Sequence, residues 1–349
     1  MGTAMIGSTP QSIFRCPAIH SIRRAMKRAL IPALFLSLML PCAQAAVFKD
    51  ETLQRLYEQG KLDDLEREAK QRIGSDAMAA LALAQAVGND KAALDAAIGL
   101  AERCVQQHPQ AAPCHFALGS AMGLKAQVGG TFAGLRLVGR IKDSLAKAVE
   151  LDPQMFEARS ALQMVYLVVP GVAGGSVDKA KALESSIRET QPEVAKLLRA
   201  RVAAQDDRWE EAERELNSVR LGEQRSFHNE VVNAWSGLAR QWMKEKNPGK
   251  ARAVLERLSQ QLPLLAAPVY SLARIAGQEG RHEEAIKLYE RSRALSGASS
   301  LPIDYRMAVA YMDLGDKDKA RALLQRFVQD KRSNPSNLQD ARKRLKELG

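Results

Sequence analysis

Small and large apolar residues recur together along the second half of the chain. One alanine repeats at intervals of 39, 34 and 35 residues, at Ala212, Ala251, Ala285 and Ala320. A second alanine lies twelve residues before each of these, at Ala200, Ala239, Ala273 and Ala308. A larger apolar side chain follows the first alanine by four residues, at Leu216, Leu255, Tyr289 and Leu324. This period, with apolar residues spaced for helical faces, predicts repeated pairs of antiparallel helices.

The alanines indicate how the two helices of a pair meet. Helices approach each other to about 8–10 Å where the side chains between them are small. We therefore expect each alanine of a first helix to face the partner helix, while the larger residues fill the groove between neighbouring pairs. Gly280 and Gly315 lie between the two helices of their units, where a turn with positive φ is needed.

This arrangement resembles the tetratricopeptide repeat. The residues that carry the resemblance are Trp235, Leu238, Ala239, Trp242, Ala251, Leu255, Leu258 and Pro263, then Leu272, Ala273, Gly280, Ala285, Ile286 and Tyr289, then Met307, Ala308, Tyr311, Gly315, Ala320, Leu324 and Phe327. The match is strong over residues 193–328 and looser over 77–192. The resemblance implies an all-α, right-handed superhelical solenoid of antiparallel helix hairpins, a fold that binds partners and usually does no chemistry.

The same reading divides the rest of the chain. We expect N-terminal helical hairpins over 46–110, degenerate repeats with glycine-rich insertions over 111–192, and a charged capping helix over 329–349. The insertions contain Gly129-Gly130-Thr131 and Gly174-Gly175-Ser176, and each ends on a good N-cap residue. One explanation is that the glycines serve only to turn the chain. The alternative is that the loops bind an anion at the N-terminus of the helix that follows.

Residues 1–45 have the features of a secretory signal peptide. A basic start is followed by the apolar run Ala29–Leu40 and the small-residue site Ala43-Gln44-Ala45. Translation from Met26 would also give a complete signal. We expect cleavage after Ala45 and a periplasmic protein; the alternative is a retained leader that anchors the chain to a membrane.

Charge and motifs exclude several classes of function. The net charge is +11, but five of the 51 basic residues lie in 1–45, which has no acid, and the remainder has no dense basic run. Nucleic acid binding is therefore not predicted. No catalytic arrangement is visible among the five histidines, and His282-Glu283-Glu284 lacks the second histidine of a zinc protease. We expect neither an enzyme nor a cofactor.

Cys104 and Cys114 are the two cysteines that remain after the leader. Each lies five residues from Pro109, so an antiparallel hairpin would bring them face to face. In an oxidising compartment they would form a disulfide, and otherwise they are two small buried hydrophobes. Both interpretations stay open. His108 and His115 flank the pair, but the spacing does not fit a zinc site, so we predict no metal.

A basic series accompanies the alanines of the C-terminal half. Arg201, Arg240 and Arg274 each precede a first alanine by eleven residues, a position that lies in the concave groove of the resembled repeat. Three further residues are predicted to share this face: Lys244, Tyr270 and Tyr305. Arginines beside tyrosines suit a peptide that is acidic or ends in a C-terminal carboxylate. The alternative is a solvated helix face.

The leading functional prediction is a periplasmic scaffold or adaptor that binds a protein or peptide in its concave groove. One alternative is an accessory component whose superhelix closes over a small anionic solute. Another is a structural assembly factor of the cell envelope that acts through its convex face. Association with a membrane is expected only through an uncleaved leader or through a partner.

Overall fold

The computed structural model describes residues 46–86, 91–330, 333 and 335–349. The predicted signal peptide lies outside these residues. The described residues form an all-α solenoid of helix hairpins, as the repeat pattern predicts. The α-helices are α1 (Glu51–Glu58), α2 (Leu62–Lys70), α3 (Ser75–Ala86), α4 (Lys91–Gln107), α5 (Ala112–Leu151), α6 (Phe156–Val168), α7 (Val177–Ser185), α8 (Pro192–Gln205), α9 (Trp209–Asn217), α10 (Arg225–Lys244), α11 (Pro248–Gln261), α12 (Ala266–Gln278), α13 (His282–Arg293), α14 (Ile303–Asp313), α15 (Lys317–Gln329) and α16 (Pro335–Leu348).

The repeated alanines form the contact between the two helices of each hairpin. All eight are at most 3% exposed, and the large apolar residues that follow them are buried with them. In the third hairpin of the well-matched region, Ala273 of α12 and Ala285 of α13 belong to one apolar cluster with Tyr289. The predicted register is therefore confirmed, because a shift of one residue would turn these alanines away from the partner helix.

The turns between the helices of these hairpins share one backbone conformation. Gly280 and Gly315 have φ values of 77° and 81°, as a left-handed turn position requires. The equivalent position, five residues before the first alanine, is held by Asp207 and Lys246 in the two preceding hairpins. Their φ values of 55° and 58° are also positive. The turn is thus kept even where the sequence has no glycine.

The first glycine-rich insertion differs from the prediction. Helix α5 continues through the expected loop and is interrupted at Gly130 alone, where φ is 74° and ψ is −170°. The segment is therefore two helices joined by a one-residue kink. The physical reason is that the surrounding residues favour helix, and only the glycine adopts a conformation that breaks it.

The second glycine-rich segment is a tight loop between α6 and α7. Ser176 caps α7 by accepting a hydrogen bond from the Lys179 amide at 3.2 Å, as predicted. The Ser176 amide in turn donates to the Tyr166 carbonyl at 2.9 Å, and the Gly175 amide donates to that of Pro170 at 3.1 Å. Since these amides are already paired within the protein, the loop does not offer them to an anion.

Helix α16 closes the C-terminal end. Ala341 is fully buried against Leu324 and Phe327 of α15. Tyr305 of α14 donates a hydrogen bond to Asp340 of α16 at 2.7 Å. The helix thus covers the apolar face that the last hairpin would otherwise expose.

Across the described part of the chain, no helix is both long enough and apolar enough to cross a bilayer.

Candidate functional site

The first helices of successive hairpins line a chain of cavities. The largest, of about 750 Å³, lies among α6, α8 and α10 and is bordered by Arg201, Arg240 and Lys244. A gap of about 30 Å³ between α10 and α12 is lined by both Arg240 and Arg274. A third cavity, of about 150 Å³, lies between α12 and α14 and is lined by Arg274 and Arg306. The shared residues make one continuous surface across these five helices.

Arg201 lies on this surface and is paired with an acidic residue. Its side chain is only 9% exposed, and it forms an ion pair with Glu230 of α10. It also donates a hydrogen bond to the Ser160 hydroxyl of α6 at 2.7 Å. Arg201 thus lies on the predicted face with its charge already met by Glu230, and its direct contact with a partner stays a prediction. Sequence spacing placed the residue on the correct face but did not identify the carboxylate that neutralises it.

Arg240 and Arg274 lie next to each other and remain unneutralised. Within the described residues, neither forms a hydrogen bond or an ion pair with another side chain. Partial burial of the guanidinium, together with the positive charge of Arg274, lowers the pKa of Arg240 below its usual value. Two adjacent cations without an acid between them favour a bound anion.

Lys244 is exposed at the edge of the largest cavity, one turn of α10 beyond Arg240. The structure therefore brings Lys244 together with Arg240 and Arg274, as the repeat register predicts. We call the surface formed by Arg240, Lys244, Arg274 and Arg306 the arginine groove.

Arg306 is the member of the arginine groove that the repeat register missed. Arg306 lies fourteen residues before Ala320, whereas each arginine of the predicted series lies eleven residues before the alanine of its unit. The residue eleven positions before Ala320 is Val309. Residues three apart share a helix face, so Arg306 reaches the same cavity as Val309. Its guanidinium lies 5.1 Å from the centre of the Tyr305 ring, and its buried Nε has no hydrogen-bond partner. A search for basic residues one helical turn before Val309 would have identified Arg306 from the sequence.

The two predicted groove tyrosines are part of the core instead. The Tyr270 ring is buried and lies 5.6 Å from that of Tyr289 in the partner helix α13. The Tyr305 ring is buried 5.4 Å from that of Phe327 in α15. Their assignment to the groove is wrong because each ring turns toward the second helix of its own hairpin. Burial of a large aromatic surface there is more favourable than exposure on the groove.

Cys104 and Cys114 are joined by a disulfide in the structure, with Cα atoms 5.4 Å apart. Both are fully buried and connect the end of α4 to the first turn of α5. His115 lies beside them, with its Nε2 atom 2.9 Å from the Pro109 carbonyl oxygen. The histidine is therefore part of the turn between the two helices.

An acidic pocket of about 340 Å³ adjoins the largest cavity. We define it by Tyr57 and Glu58 of α1, Phe116 of α5, Glu157 of α6, and Ser226 and Glu230 of α10. Glu230 lines both spaces, so its ion pair with Arg201 forms the boundary between them. Sequence reasoning missed this pocket, because its residues come from distant elements and each alone is an ordinary helix residue.

Glu157 is the most perturbed group of the acidic pocket. The residue is only 8% exposed. Its Oε1 atom accepts hydrogen bonds from Ser226 at 2.7 Å and from Gln224 at 3.3 Å, whereas Oε2 is buried without a partner. Burial raises the pKa of Glu157 to about 7, and the negative charges of Glu58 and Glu230 add to the increase.

These observations define a class of protein: a helical-hairpin solenoid whose first helices present a charged surface. Residues 278–345 match the family model of the tetratricopeptide repeat. This match lies in the C-terminal part of the chain and supports the resemblance to the tetratricopeptide repeat that the alanine pattern implies.

Two solved structures show what the chain is similar to. PilF of Pseudomonas aeruginosa is 16% identical, with 68% of this chain and 99% of that one covered and a TM-score of 0.39. A tetratricopeptide repeat protein of Parabacteroides merdae is 14% identical, with 74% and 96% covered and a TM-score of 0.44. No curated protein matches the sequence. At these scores the similarities carry no information about a partner.

Proposed function

We propose that the protein is a non-enzymatic scaffold that binds an extended peptide, or a peptide segment of a protein, along the arginine groove. The observation that carries the proposal is the adjacent, unneutralised pair Arg240 and Arg274. Arginine side chains without an acidic partner bind carboxylates favourably, because a guanidinium group and a carboxylate form two parallel hydrogen bonds.

The extent of the groove favours a peptide over a small solute. Its basic residues come from three successive first helices, α10, α12 and α14. A single small anion would contact one or two of them, whereas an acidic segment or a C-terminal carboxylate with neighbouring acids would meet all. Lys244 and Arg306 at the two ends would extend the contact.

The test is a peptide selection followed by measured affinities. A display library of random peptides is enriched on the wild-type protein, and the best peptides are titrated against the double variant Arg240→Ala, Arg274→Ala. Charged hydrogen bonds contribute about 1.5–3 kcal/mol each, so loss of both arginines should lower the affinity by roughly a hundredfold or more. It should also fall with added salt, because the contacts are partly exposed to solvent.

A matched control removes the same charge elsewhere. Arg291 of α13 and Arg342 of α16 are exposed, and their double replacement by alanine should leave affinity unchanged. A peptide that binds the groove variant as tightly as the wild type would overturn the proposal. A small anion that co-purifies in native mass spectrometry and blocks peptide binding would favour the solute-binding alternative instead.

We further propose that the protein works in the periplasm after removal of residues 1–45. The proposal rests on the basic start, apolar run and small-residue site of that segment. N-terminal sequencing of the protein from the cell envelope should begin at Ala46. A soluble cytoplasmic protein that begins at Met1 or Met26 would contradict it.

A further inference from the structure

The acidic pocket differs from the arginine groove in the sign of its charge. Three glutamates line it, Glu58, Glu157 and Glu230, and within the described residues its lining includes no lysine, arginine or histidine. Arg201 lies in the neighbouring cavity and contacts two residues of the acidic pocket, Glu230 and Ser160. A concentration of carboxylates from three helices within one cavity costs free energy through mutual repulsion.

Glu157 has no cationic partner among the described residues, and one of its two carboxyl oxygens has no hydrogen bond. The side chain lines the cavity and is more than nine-tenths buried, and its Oε2 atom has no hydrogen bond. A buried polar atom without a partner is costly, and proteins rarely retain one unless a ligand or a role explains it. The other oxygen is held by Ser226, so the carboxyl group cannot turn without breaking that bond.

The composition of the pocket points to an organic cation rather than a metal ion. No group of acidic, histidine or cysteine side chains among the described residues converges closely enough to hold a metal. The walls instead combine carboxylates with the aromatic rings of Tyr57, Phe116 and Phe156. Aromatic faces attract ammonium and guanidinium groups, and carboxylates neutralise them. About 340 Å³ is ample for one long side chain.

The position of the pocket relates it to the arginine groove. Met164 and Glu230 line both the acidic pocket and the largest cavity, and that cavity continues to Arg240 and Lys244. A chain lying along α10 would therefore pass from a region of negative charge to one of positive charge. Such a surface is complementary to a segment that carries a basic residue at one end and acidic residues at the other.

We propose that the acidic pocket receives a lysine or arginine side chain of the bound peptide, with its cationic group among the carboxyl groups of Glu58, Glu157 and Glu230. This inference rests on the proposed function, since it assumes that a peptide occupies the arginine groove. It adds a second requirement to the proposed function: the peptide has a basic residue at one end and acidic residues at the other. The acidic pocket and the arginine groove then select the direction of the peptide as well as its charge.

The experiment continues the selection on the full-length protein with a double-mutant cycle. Peptides enriched on the wild type should carry one basic position at a constant distance from their acidic positions. The best peptide is then synthesised with that residue either present or replaced by norleucine, which keeps the length and removes the charge. Norleucine should weaken binding to the wild type by roughly tenfold or more, but to Glu157→Gln by less than about twofold.

A second variant and a control separate binding from folding. Glu58→Gln alters the pocket from a different helix and should also reduce the preference for the basic residue. Glu150→Gln removes an exposed charge of α5 outside the pocket and should leave the norleucine effect unchanged. Circular dichroism melts of all three variants check that they remain folded.

The pH dependence gives an independent readout. Glu157 is faced by Glu58 and Tyr57 of α1 and by Glu230 of α10, which is itself paired to Arg201 of α8. A bound cation favours the ionised carboxylate, so the norleucine effect should shrink as the pH is lowered from about 8 to 6. In Glu157→Gln this pH dependence should disappear.

The outcomes distinguish this inference from the function it builds on. Acidic peptides that bind through the arginine groove with no preferred basic position would overturn the inference and leave the proposed function standing. A norleucine effect of equal size in wild type and Glu157→Gln would also overturn it. A library that yields no binding peptide at all would remove both.

Discussion

Four residues at one repeated backbone position illustrate how the fold tolerates local strain. Gly280 and Gly315 adopt a positive φ without cost, whereas Asp207 and Lys246 hold the same position with side chains. For a residue with a Cβ atom, the left-handed region is less favourable than it is for glycine. Aspartate tolerates this conformation better than lysine does, since its short polar side chain can bond locally.

The first prediction concerns Lys246. Lys246→Gly should stabilise the protein by about 0.5–1 kcal/mol, because it relieves the left-handed strain and the residue lies outside a helix interior. The free energy of unfolding in urea measures it. Gly280→Ala, at the equivalent position, should change stability in the opposite direction. Equal destabilisation by both substitutions would show that the turn does not require this conformation.

The second prediction follows from the raised pKa of Glu157. Glu157 holds its proton up to about pH 7 in the folded state, whereas the unfolded chain releases it near the ordinary glutamate pKa of 4.5. Stability is therefore highest at low pH for this group and is lost as the pH rises from 4.5 through 7. The loss amounts to about 3 kcal/mol, since each pKa unit corresponds to about 1.4 kcal/mol.

The measurement compares the wild type with Glu157→Gln across this range. The glutamine variant should become the more stable of the two as the pH rises to about 8, because it has no proton to lose. Glu150→Gln, at an exposed site, should follow the wild type throughout. A constant difference between wild type and Glu157→Gln at every pH would mean that the carboxyl group titrates normally.

At the scale of elements, neighbouring residues of one helix serve opposite purposes. Ala273 of α12 is fully buried against α13, whereas Arg274 faces the arginine groove. Ala273→Leu should therefore destabilise the protein by about 1–3 kcal/mol or more, because the added methylenes force the two helices apart. Arg274→Ala should change the melting temperature little. Similar shifts for both variants would contradict the helix register.

The link between α4 and α5 gives a second prediction at this scale. We expect Cys104 and Cys114 to be oxidised in the exported protein, and the short closed loop should contribute about 2–3 kcal/mol of stability. Thiol labelling of denatured, unreduced protein should find neither cysteine free. Labelling of both would show that they are packed together without a bond.

At the scale of the molecule, each hairpin is stabilised mainly by its neighbours, so the loss of an end should act locally. Removal of α16 would expose Phe327, Leu324 and Tyr305. Hydrogen exchange should then show lost protection in α14 and α15, with α3 to α5 unaffected. Arg342→Ala, on the exposed face of α16, serves as the control. A uniform loss of protection would instead indicate that the described repeats unfold as one cooperative unit.

The sequence by itself determined the architecture, because repetition makes each structural requirement visible several times. The alanines had to be small in every hairpin, and the turn glycines appear twice in equivalent places. The first helix of each of the four hairpins from α8 to α15 accordingly packs on the second helix through these buried alanines. Ser176 was likewise predicted correctly as a cap, since capping depends on residues a few positions apart.

Tertiary structure alone decided which residues of the groove face are available. Arg201 and Arg240 occupy the same repeat position, but Glu230 neutralises the first, and that contact spans 29 residues. Tyr270 turns into the core because α13 offers its ring a better surface than solvent does. The acidic pocket draws residues from α1, α5, α6 and α10, and no local pattern relates them. The repeated sequence pattern specifies how the two helices of a hairpin pack, because the residues involved are close in the chain. Charge pairing between distant helices depends on which residues the complete fold brings together.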